Sequence, residues 1–86
     1  MRFRVRLLVT LKEGLLDPQG KAIQDALPAL GWTGVSEVRV GKHVELVVDA
    51  PDEATARRLV EEMSGRFLTN PVIEDFRVLA VEEAAP

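Results

Sequence analysis

The feature that most constrains the fold is an alternation of apolar and mostly polar residues over the first eleven positions. The apolar members are Phe3, Val5, Leu7, Val9 and Leu11. Successive side chains of a strand point to opposite faces, so this period of two places all five on one side. The pattern predicts a strand with one buried face, and the rest of the chain must supply the elements that cover it.

A first helix is predicted to begin at Asp17, because its carboxylate can accept free N–H groups and Pro18 suits the first helical position. We expect it to end just before Gly31, which would act as a left-handed cap with Trp32 folding back onto the helix. Pro28 should kink or shorten this helix, since proline lacks an N–H group.

A second helix is predicted to begin after Asp52, with its apolar positions at helical spacing. These positions are Ala56, Leu59, Val60, Met63 and Phe67. Residues 69–71 should form a turn, and residues 72–81 the last strand. We expect residues 82–86 to be a frayed tail.

Residues 35–40 and 44–49 are predicted to form a hairpin around Gly41-Lys42-His43. A two-residue loop would mix apolar and charged positions on each face. A three-residue loop keeps the faces separate and is therefore preferred. The preferred register pairs Val40 with Val44, Val38 with Leu46, Ser36 with Val48, and Arg39 with Glu45.

The predicted order is strand, helix, strand, strand, helix, strand within 86 residues. This order predicts an α+β, ferredoxin-like βαββαβ fold, with a four-stranded antiparallel sheet and both helices on one face. The length corresponds to a single domain, placed at residues 1–81.

The sheet face without helices is predicted to carry charges of both signs mixed with aliphatic side chains. We assign to it Arg2, Arg4, Arg6, Leu8, Glu37, Arg39, Glu45, Val47, Ile73, Asp75, Arg77 and Leu79. Mixed patches of this kind are typical of association sites, so self-association or docking to a larger protein is expected. The alternative is an ordinary solvated face.

Composition excludes several classes of function. The chain has no cysteine, one histidine (His43) and a net charge of −3. Disulfides, cysteine-zinc sites and thiol nucleophiles are therefore excluded, and a nucleic-acid partner is disfavoured. The sequence has no apolar run long enough to span a membrane and no signal-peptide pattern, so we expect a cytoplasmic protein.

No constellation of catalytic side chains is visible in the sequence. Asp17 is explained by helix capping, and capping would hold its pKa low. Lys21 beside Gly20 could hold an anion at the helix start, but a close protein contact explains both residues equally well. Glu74 and Asp75 point to opposite faces of a strand. We therefore predict no catalytic, cofactor-binding or metal-binding residue in this chain.

Three segments carry a resemblance to a known family. They are residues 16–23, residues 38–42 and residues 70–76. The first contains Gly20 within the opening turn of a helix, where glycine is unfavourable by about 1 kcal/mol. In this order and at this length, the segments resemble the PurS family, the small subunit of bacterial phosphoribosylformylglycinamidine synthase. The resemblance extends from Val9 to Phe76.

The resemblance implies a place in a three-part synthase of purine biosynthesis. A large subunit would carry out the ATP-dependent amidation, with ATP and magnesium bound there, and a glutaminase would release ammonia. The small subunit would be non-catalytic, would form a dimer or tetramer, and would bridge the two enzymes and support ammonia transfer.

Some segments have unusual sequence with no evident local structural need, and we predict that they contact partner proteins. The predicted contact residues are Asp17, Pro18, Gln19, Gly20, Lys21, Asn70 and Pro71. On this hypothesis a bulky residue at position 20 should weaken assembly and leave the isolated domain folded.

Two alternatives remain open at this point, an acylphosphatase-like enzyme and a small ligand-sensing module. The first would need an arginine in an anion-binding loop after the first strand. Residues 12–16 contain an acid and no arginine, which disfavours it. The sequence departs from the usual family pattern at Pro28 and at Ser64-Gly65-Arg66, which lie near the predicted ends of the two helices.

Overall fold

A computed structural model describes residues 1–85 as a three-stranded antiparallel sheet with two helices. The strands are β1 (Arg2–Leu11), β2 (Gly41–Asp49) and β3 (Glu74–Glu83). The helices are α1 (Pro18–Ala26) and α2 (Glu53–Met63), each followed by a short turn of another helical type, Pro28–Leu30 and Ser64–Leu68. The strand order is β2-β1-β3, so β1 is the central strand.

The core lies between the inner face of β1 and the helix α2. Phe3, Val5, Leu7 and Val9 are all less than 5% exposed, which confirms the buried face predicted from the alternation. They pack against two fully buried positions of α2, Ala56 and Val60. The helix begins as predicted, because the carboxylate of Asp52 accepts the N–H of Thr55 at 2.7 Å.

The prediction of a four-stranded sheet closed by a hairpin is wrong for the described residues. Gly41, Lys42 and His43 are not a loop but the first residues of β2, opposite Thr10, Val9 and Leu8 of β1. Because β1 extends to Leu11, it offers paired positions to these three residues and keeps them extended. Residues 35–40 belong to no strand, and Val38 and Val40 are hydrogen-bonded to side chains of Gln24 and Asp17 instead.

Gly41 was interpreted as a turn residue, but the structure gives a different reason for it. A Cβ atom at this position would lie 2.8 Å from the carbonyl oxygen of Val9 and 2.9 Å from a methyl group of Thr10. Glycine therefore allows a close approach between β2 and β1.

The prediction that both helices cover the sheet is also wrong, because within residues 1–85 α2 alone packs extensively on the strands. Helix α1 projects beyond the sheet together with the chain that follows it, and we call residues 17–40 the arm. The molecule measures 51 × 29 × 14 Å, with a radius of gyration of 16.5 Å. A compact domain of this length would have a radius of about 12 Å.

The end of α1 matches the prediction made from Pro28 and Gly31. The α-helix stops at Ala26 and the turn Pro28–Leu30 follows. Gly31 is left-handed (φ 102°) and donates its N–H to the carbonyl of Pro28, while Trp32 donates to the carbonyl of Leu27. These two hydrogen bonds form a Schellman ending.

The end of α2 departs from the predicted helical face. The five residues Ser64–Leu68 form a π-helical turn, in which the buried Ser64 hydroxyl donates to the carbonyl of Val60 at 2.7 Å. The wider turn changes the phase of the helix, so Leu68 packs on the core. Phe67, which we had placed on the buried face, is 86% exposed.

The last strand begins and ends two residues later than predicted, and its pairing contains an irregularity. Strand β3 covers Glu74–Glu83 instead of residues 72–81, and its register shifts opposite the junction of Arg6 and Leu7. Glu82 pairs with Arg4 in the ladder, so residues 82 and 83 are not a frayed tail. Pro86 lies outside the described residues.

The outer face of the sheet carries a chain of ion pairs across all three strands. Arg4 contacts Glu45 at 2.8 Å, and Arg6 contacts Glu45 at 3.6 Å and Glu82 at 2.9 Å. The hydrogen bond from Arg4 is the main reason that the pKa of Glu45 is lowered. Glu37 and Arg39 were predicted on this face, but they lie in the arm.

Candidate partner-contact surface

The two segments that we predicted as contacts lie at the same end of the sheet. Lys12, at the end of β1, donates its N–H to the carbonyl of Ile73 at 2.8 Å, so the loops before α1 and before β3 run side by side. Glu74 accepts the N–H of Asn70 at 2.8 Å and forms an ion pair with Lys42 at 3.2 Å. These contacts connect the turn at Asn70 to the start of β2, beside which α1 begins.

Asp17 has a structural role at this end of the sheet. Its side chain is 6% exposed, and its two oxygens accept the N–H of Gly20 at 2.8 Å and the N–H of Val40 at 2.7 Å. The carboxylate thus caps α1 and also binds the backbone just before β2. We call this arrangement of Asp17, Gly20 and Val40 the Asp17 clasp.

The Asp17 clasp keeps the carboxylate ionised. The hydrogen bond from Val40 is the largest cause of the lowered pKa of Asp17, followed by the bond from Gly20. The Arg39 guanidinium, 4.0 Å away, lowers it further, and burial opposes these effects. An ionised carboxylate with both oxygens occupied is a poor proton acceptor, so helix capping explains Asp17 as predicted.

Gly20 also has a local structural reason, which contradicts our assumption that it had none. A Cβ atom at this position would lie 2.4 Å from the carbonyl oxygen of Val38, too close for any other residue without movement. The side chain of Gln24 accepts the N–H of Val38 at 3.1 Å beside it. The close approach inferred from Gly20 is therefore made within the chain, and a bulky residue here should disturb the arm.

The other five predicted contact residues are exposed. They are Pro18, Gln19, Lys21, Asn70 and Pro71. Lys21 forms an ion pair with Asp25 at 3.1 Å, which competes with an anion at the helix start. The side chain of Asn70 accepts the N–H of Val72 at 3.1 Å and so also shapes the turn. Contact with a partner stays a prediction for these five residues.

Two clefts open at this end of the molecule. The smaller, of about 370 Å³, lies between the start of α1 and the sheet. It is lined by Val9, Leu11, Asp17, Pro18, Gln19, Val40, Gly41, Lys42 and Glu74. The larger, of about 980 Å³, includes the loop after β1 and the charged side chains of Glu37 and Arg39. Each cleft is wide enough to accept side chains of another protein.

The loop after β1 does not have the form of an anion cradle. Arg39 donates to the carbonyl oxygens of Leu15 at 2.9 Å and Lys12 at 3.4 Å. These carbonyl oxygens carry partial negative charge and already occupy the N–H groups of the guanidinium, so they would repel a phosphate at this position. This geometry gives no support to the acylphosphatase-like alternative.

Sequence reasoning missed three exposed apolar residues near this end. Leu16, Phe67 and Val72 are 71%, 86% and 79% exposed. Phe67 lies on a turn that hydrogen bonds hold in place, because the Ser64 carbonyl accepts both the N–H and the hydroxyl of Thr69. In the sequence, the run Ser64-Gly65-Arg66 is the signal that marks this turn.

The described part of the chain offers neither a cluster of ligands for a metal ion nor a helix suited to a membrane. Among residues 1–85, no three histidine, cysteine or acidic side chains come together in a way that could hold a metal ion. Within the same range, no helix is both long enough and apolar enough to cross a bilayer.

A family model and curated relatives match this chain along most of its length. The model for PurS, phosphoribosylformylglycinamidine (FGAM) synthase, matches residues 4–82. The PurS subunit of Synechocystis sp. is 46% identical over 84 residues, which cover 95% of this chain and 84% of the relative. The PurS subunit of Bacillus subtilis is 42% identical over 83 residues, covering 96% of this chain and 98% of the relative.

Solved structures agree with these relatives. PurS of Thermus thermophilus in its P21 form has a TM-score of 0.84 at 41% identity, covering 99% of this chain and 100% of that chain. A chain in the structure of PurLQS from Thermotoga maritima has a TM-score of 0.82 at 28% identity, covering 91% of this chain and 95% of that one.

Proposed function

Because the chain belongs to the PurS family, as its motifs predicted, we propose that it is the PurS subunit of a phosphoribosylformylglycinamidine synthase. It would serve purine biosynthesis in the cytoplasm by holding other proteins together. The observation that carries this proposal is the family match over residues 4–82, nearly the whole chain.

The partners follow from the reaction that such a synthase performs. A large subunit, with ATP and magnesium, would amidate formylglycinamide ribonucleotide, and a glutaminase would supply the ammonia. Ammonia that meets water becomes protonated and escapes, so a small rigid protein that bridges and seals the junction would raise the yield. The similarity to a chain of PurLQS from Thermotoga maritima supports such an assembly.

Four carboxylates of this chain are bound by its own structure and are unsuited to act as general bases. A general base at neutral pH needs a pKa near 7. In this chain the pKa values of Asp17, Glu45, Asp52 and Glu74 are all lowered, and hydrogen bonds are the largest cause in each case. Each of these carboxylates stabilises the chain's own structure.

The contact surface would be the end of the sheet that carries Pro18, Gln19, Lys21, Asn70 and Pro71. Pro18, Gln19 and Lys21 are exposed at the start of α1, and Asn70 and Pro71 on a hydrogen-bonded turn, so little entropy is lost on binding. The chain would also associate with itself as a dimer or tetramer.

A reconstituted synthase tests this function. The rate would be measured with glutamine and, separately, with ammonium as the nitrogen source. Omission of this chain should abolish the glutamine-dependent rate. A contact variant, Gln19→Arg, should lower that rate and leave the free chain folded, whereas Glu61→Gln on the wet side of α2 should change nothing. A full glutamine-dependent rate without the chain, or turnover by the chain alone, would contradict the proposal.

A further inference from the structure

Phe67 is the most exposed large apolar residue among residues 1–85, with 86% of its surface open to solvent. In a regular α-helix it would lie on the buried face, because it follows the fully buried Val60 by two helical turns. The π-helical turn Ser64–Leu68 rotates the chain, so that Leu68 packs on the core and Phe67 does not. Turns of this type are rare and frequently occur at functional sites. The fold leaves an aromatic side chain uncovered that a regular helix would bury.

The turn that exposes Phe67 is held by hydrogen bonds to buried groups. The hydroxyl of the fully buried Ser64 donates to the carbonyl of Val60 at 2.7 Å. The carbonyl of Ser64 accepts the N–H of Thr69 at 3.0 Å and its hydroxyl at 2.7 Å. The exposure of Phe67 is therefore a fixed feature of the backbone, and a side chain on a fixed backbone loses little freedom on binding.

A second exposed apolar side chain lies on the next turn of the chain. Val72 is 79% exposed, and its N–H is bound by the side chain of Asn70 at 3.1 Å. The carbonyl of Asn70 also accepts the N–H of Glu74 at 2.7 Å, which closes this turn. Asn70 and Pro71, two of the predicted contact residues, lie between Phe67 and Val72 in the chain. We call Phe67 and Val72 the apolar anchor, and it continues the contact surface proposed above.

The charge beside the apolar anchor indicates what kind of surface fits it. Arg66 precedes Phe67, is exposed, and forms no ion pair with residues 1–85. The acid one turn before it, Glu62, contacts Arg58 at 4.0 Å instead. Nothing lies within 4 Å of a Cβ atom at Gly65, so the space beside the turn is open. A cation next to an apolar anchor is complementary to an apolar pocket with a carboxylate at its edge.

A second copy of this chain fits the apolar anchor poorly. In a two-fold contact the same patch of each copy meets its counterpart. The two Arg66 side chains would then approach each other, and like charges in contact are unfavourable. The complementary pocket is therefore expected on a different protein.

We propose that the apolar anchor binds in an apolar pocket of another protein of the synthase, and that a carboxylate at the edge of this pocket binds Arg66. The inference rests on the proposed function and names the residues that carry the contact. Phe67 contributes most of the affinity, because a few buried aromatic side chains near the centre of an interface usually do so. Val72 extends the apolar contact on the side of Asn70 and Pro71.

Dissociation constants measured without turnover test the apolar anchor. The chain, with a fluorophore on its N-terminal amine, would be titrated with the purified large subunit and glutaminase while anisotropy is recorded. Phe67→Ala should weaken binding by at least about 30-fold, with an unchanged circular dichroism spectrum. Phe67→Leu keeps an apolar contact and should weaken binding by less than about tenfold. Leu79→Ala, at a 47% exposed position of β3, is the matched control and should stay within about twofold.

Charge reversal tests the expected carboxylate. Arg66→Glu should weaken binding by at least about tenfold, because two negative charges would meet at the edge of the pocket. Arg57→Glu makes the same change on the wet side of α2 and should stay within about twofold. Equal effects of the two reversals would overturn the pairing of Arg66 with a carboxylate.

Several outcomes would overturn the apolar anchor itself. They are an unchanged dissociation constant for Phe67→Ala, an equal loss for Leu79→Ala, and no binding by the natural chain. A lower mass of isolated Phe67→Ala in sedimentation, relative to the natural chain, would assign Phe67 to a contact between copies and would also overturn it. Omission of the chain from the reconstituted synthase judges the proposed function separately, so the anchor can fail while that function stands.

Discussion

The carboxylate of Asp17 accepts the N–H of Val40 at 2.7 Å, and this bond joins residues 23 positions apart. It ties the first turn of α1 to the backbone that leads into β2. Because α1 does not pack on the sheet, this bond and its neighbours set the direction of the arm. The position of the arm therefore depends on a few polar contacts at one end of the sheet.

Substitution of Gly20 by alanine should lower stability. The new Cβ atom would lie 2.4 Å from the Val38 carbonyl oxygen, and overpacking of this kind typically destabilises by about 1–3 kcal/mol. The intrinsic helix preference of alanine offsets about 1 kcal/mol of that loss. Urea unfolding followed by circular dichroism measures the difference.

Gly65→Ala is the matched control for Gly20→Ala, since nothing lies within 4 Å of a Cβ atom at position 65. It should leave stability unchanged or raise it by up to about 1 kcal/mol. Equal effects of the two substitutions would show that the Val38 carbonyl does not constrain position 20.

Acid should weaken the Asp17 clasp. The pKa of Asp17 is lowered in the folded chain, so its ionised form contributes stability above the usual aspartate pKa of about 3.9. That contribution is lost as the pH falls below this value toward the folded pKa. Unfolding curves between neutral pH and pH of about 3 should therefore show a steeper decline for the natural protein than for Asp17→Asn.

The Asp17→Asn variant should already be less stable at neutral pH, because its amide NH₂ group faces one of the two N–H donors of the clasp. Parallel pH profiles for the two proteins would rule out a contribution of this carboxylate. The pKa values of Asp52 and Glu74 are also lowered, but both residues are present in the two proteins and contribute equally to the two pH profiles. The difference between the profiles therefore isolates Asp17.

Truncation to alanine should destabilise the chain more at Leu68 than at Phe67, although phenylalanine is the larger residue. Phe67 is 86% exposed, and we expect Phe67→Ala to change the free energy of unfolding by less than about 0.5 kcal/mol. Leu68 packs on the core, so Leu68→Ala should remove about 1–3 kcal/mol. Thermal unfolding of both variants decides which residue faces the core, and a larger loss at Phe67 would contradict the π-helical turn.

The central strand should be the most sensitive part of the molecule. Leu7 is fully buried against α2, and Leu7→Ala should destabilise by about 2–5 kcal/mol. Leu16→Ala removes the same atoms from a side chain that is 71% exposed and should cost less than about 0.5 kcal/mol. Chemical denaturation at one protein concentration compares the pair, and similar losses would argue against the assigned core.

Local patterns predicted the elements whose cause is local. The alternation from Phe3 to Val9, the cap at Asp52 and the Schellman ending at Gly31 depend on nearby residues, and all three are confirmed. The resemblance to the PurS family is confirmed as well. In the alternation, the cap and the Schellman ending, a few adjacent side chains determine the backbone conformation.

The failures share a dependence on distant parts of the chain. Gly41 and Lys42 look like a turn until β1 is seen to extend far enough to pair with them. Gly20 looked like a site for a partner because its neighbour, the Val38 carbonyl, lies 18 positions away in the sequence. Asp17 and Gly20 therefore have roles within the arm that the sequence did not reveal, and contact with a partner stays a prediction for their exposed neighbours.

The clasp also divides the chain into two units that should open independently. The amide protons of Val38 and Val40 are bound by side chains, whereas those of β1 lie inside a ladder flanked on both sides. Deuterium should enter the two sites at separate rates, the first by release of the arm and the second only by collapse of the core. The fall in the exchange rate at Val38 and Val40 when a companion binds would then measure how tightly that companion holds the projecting segment.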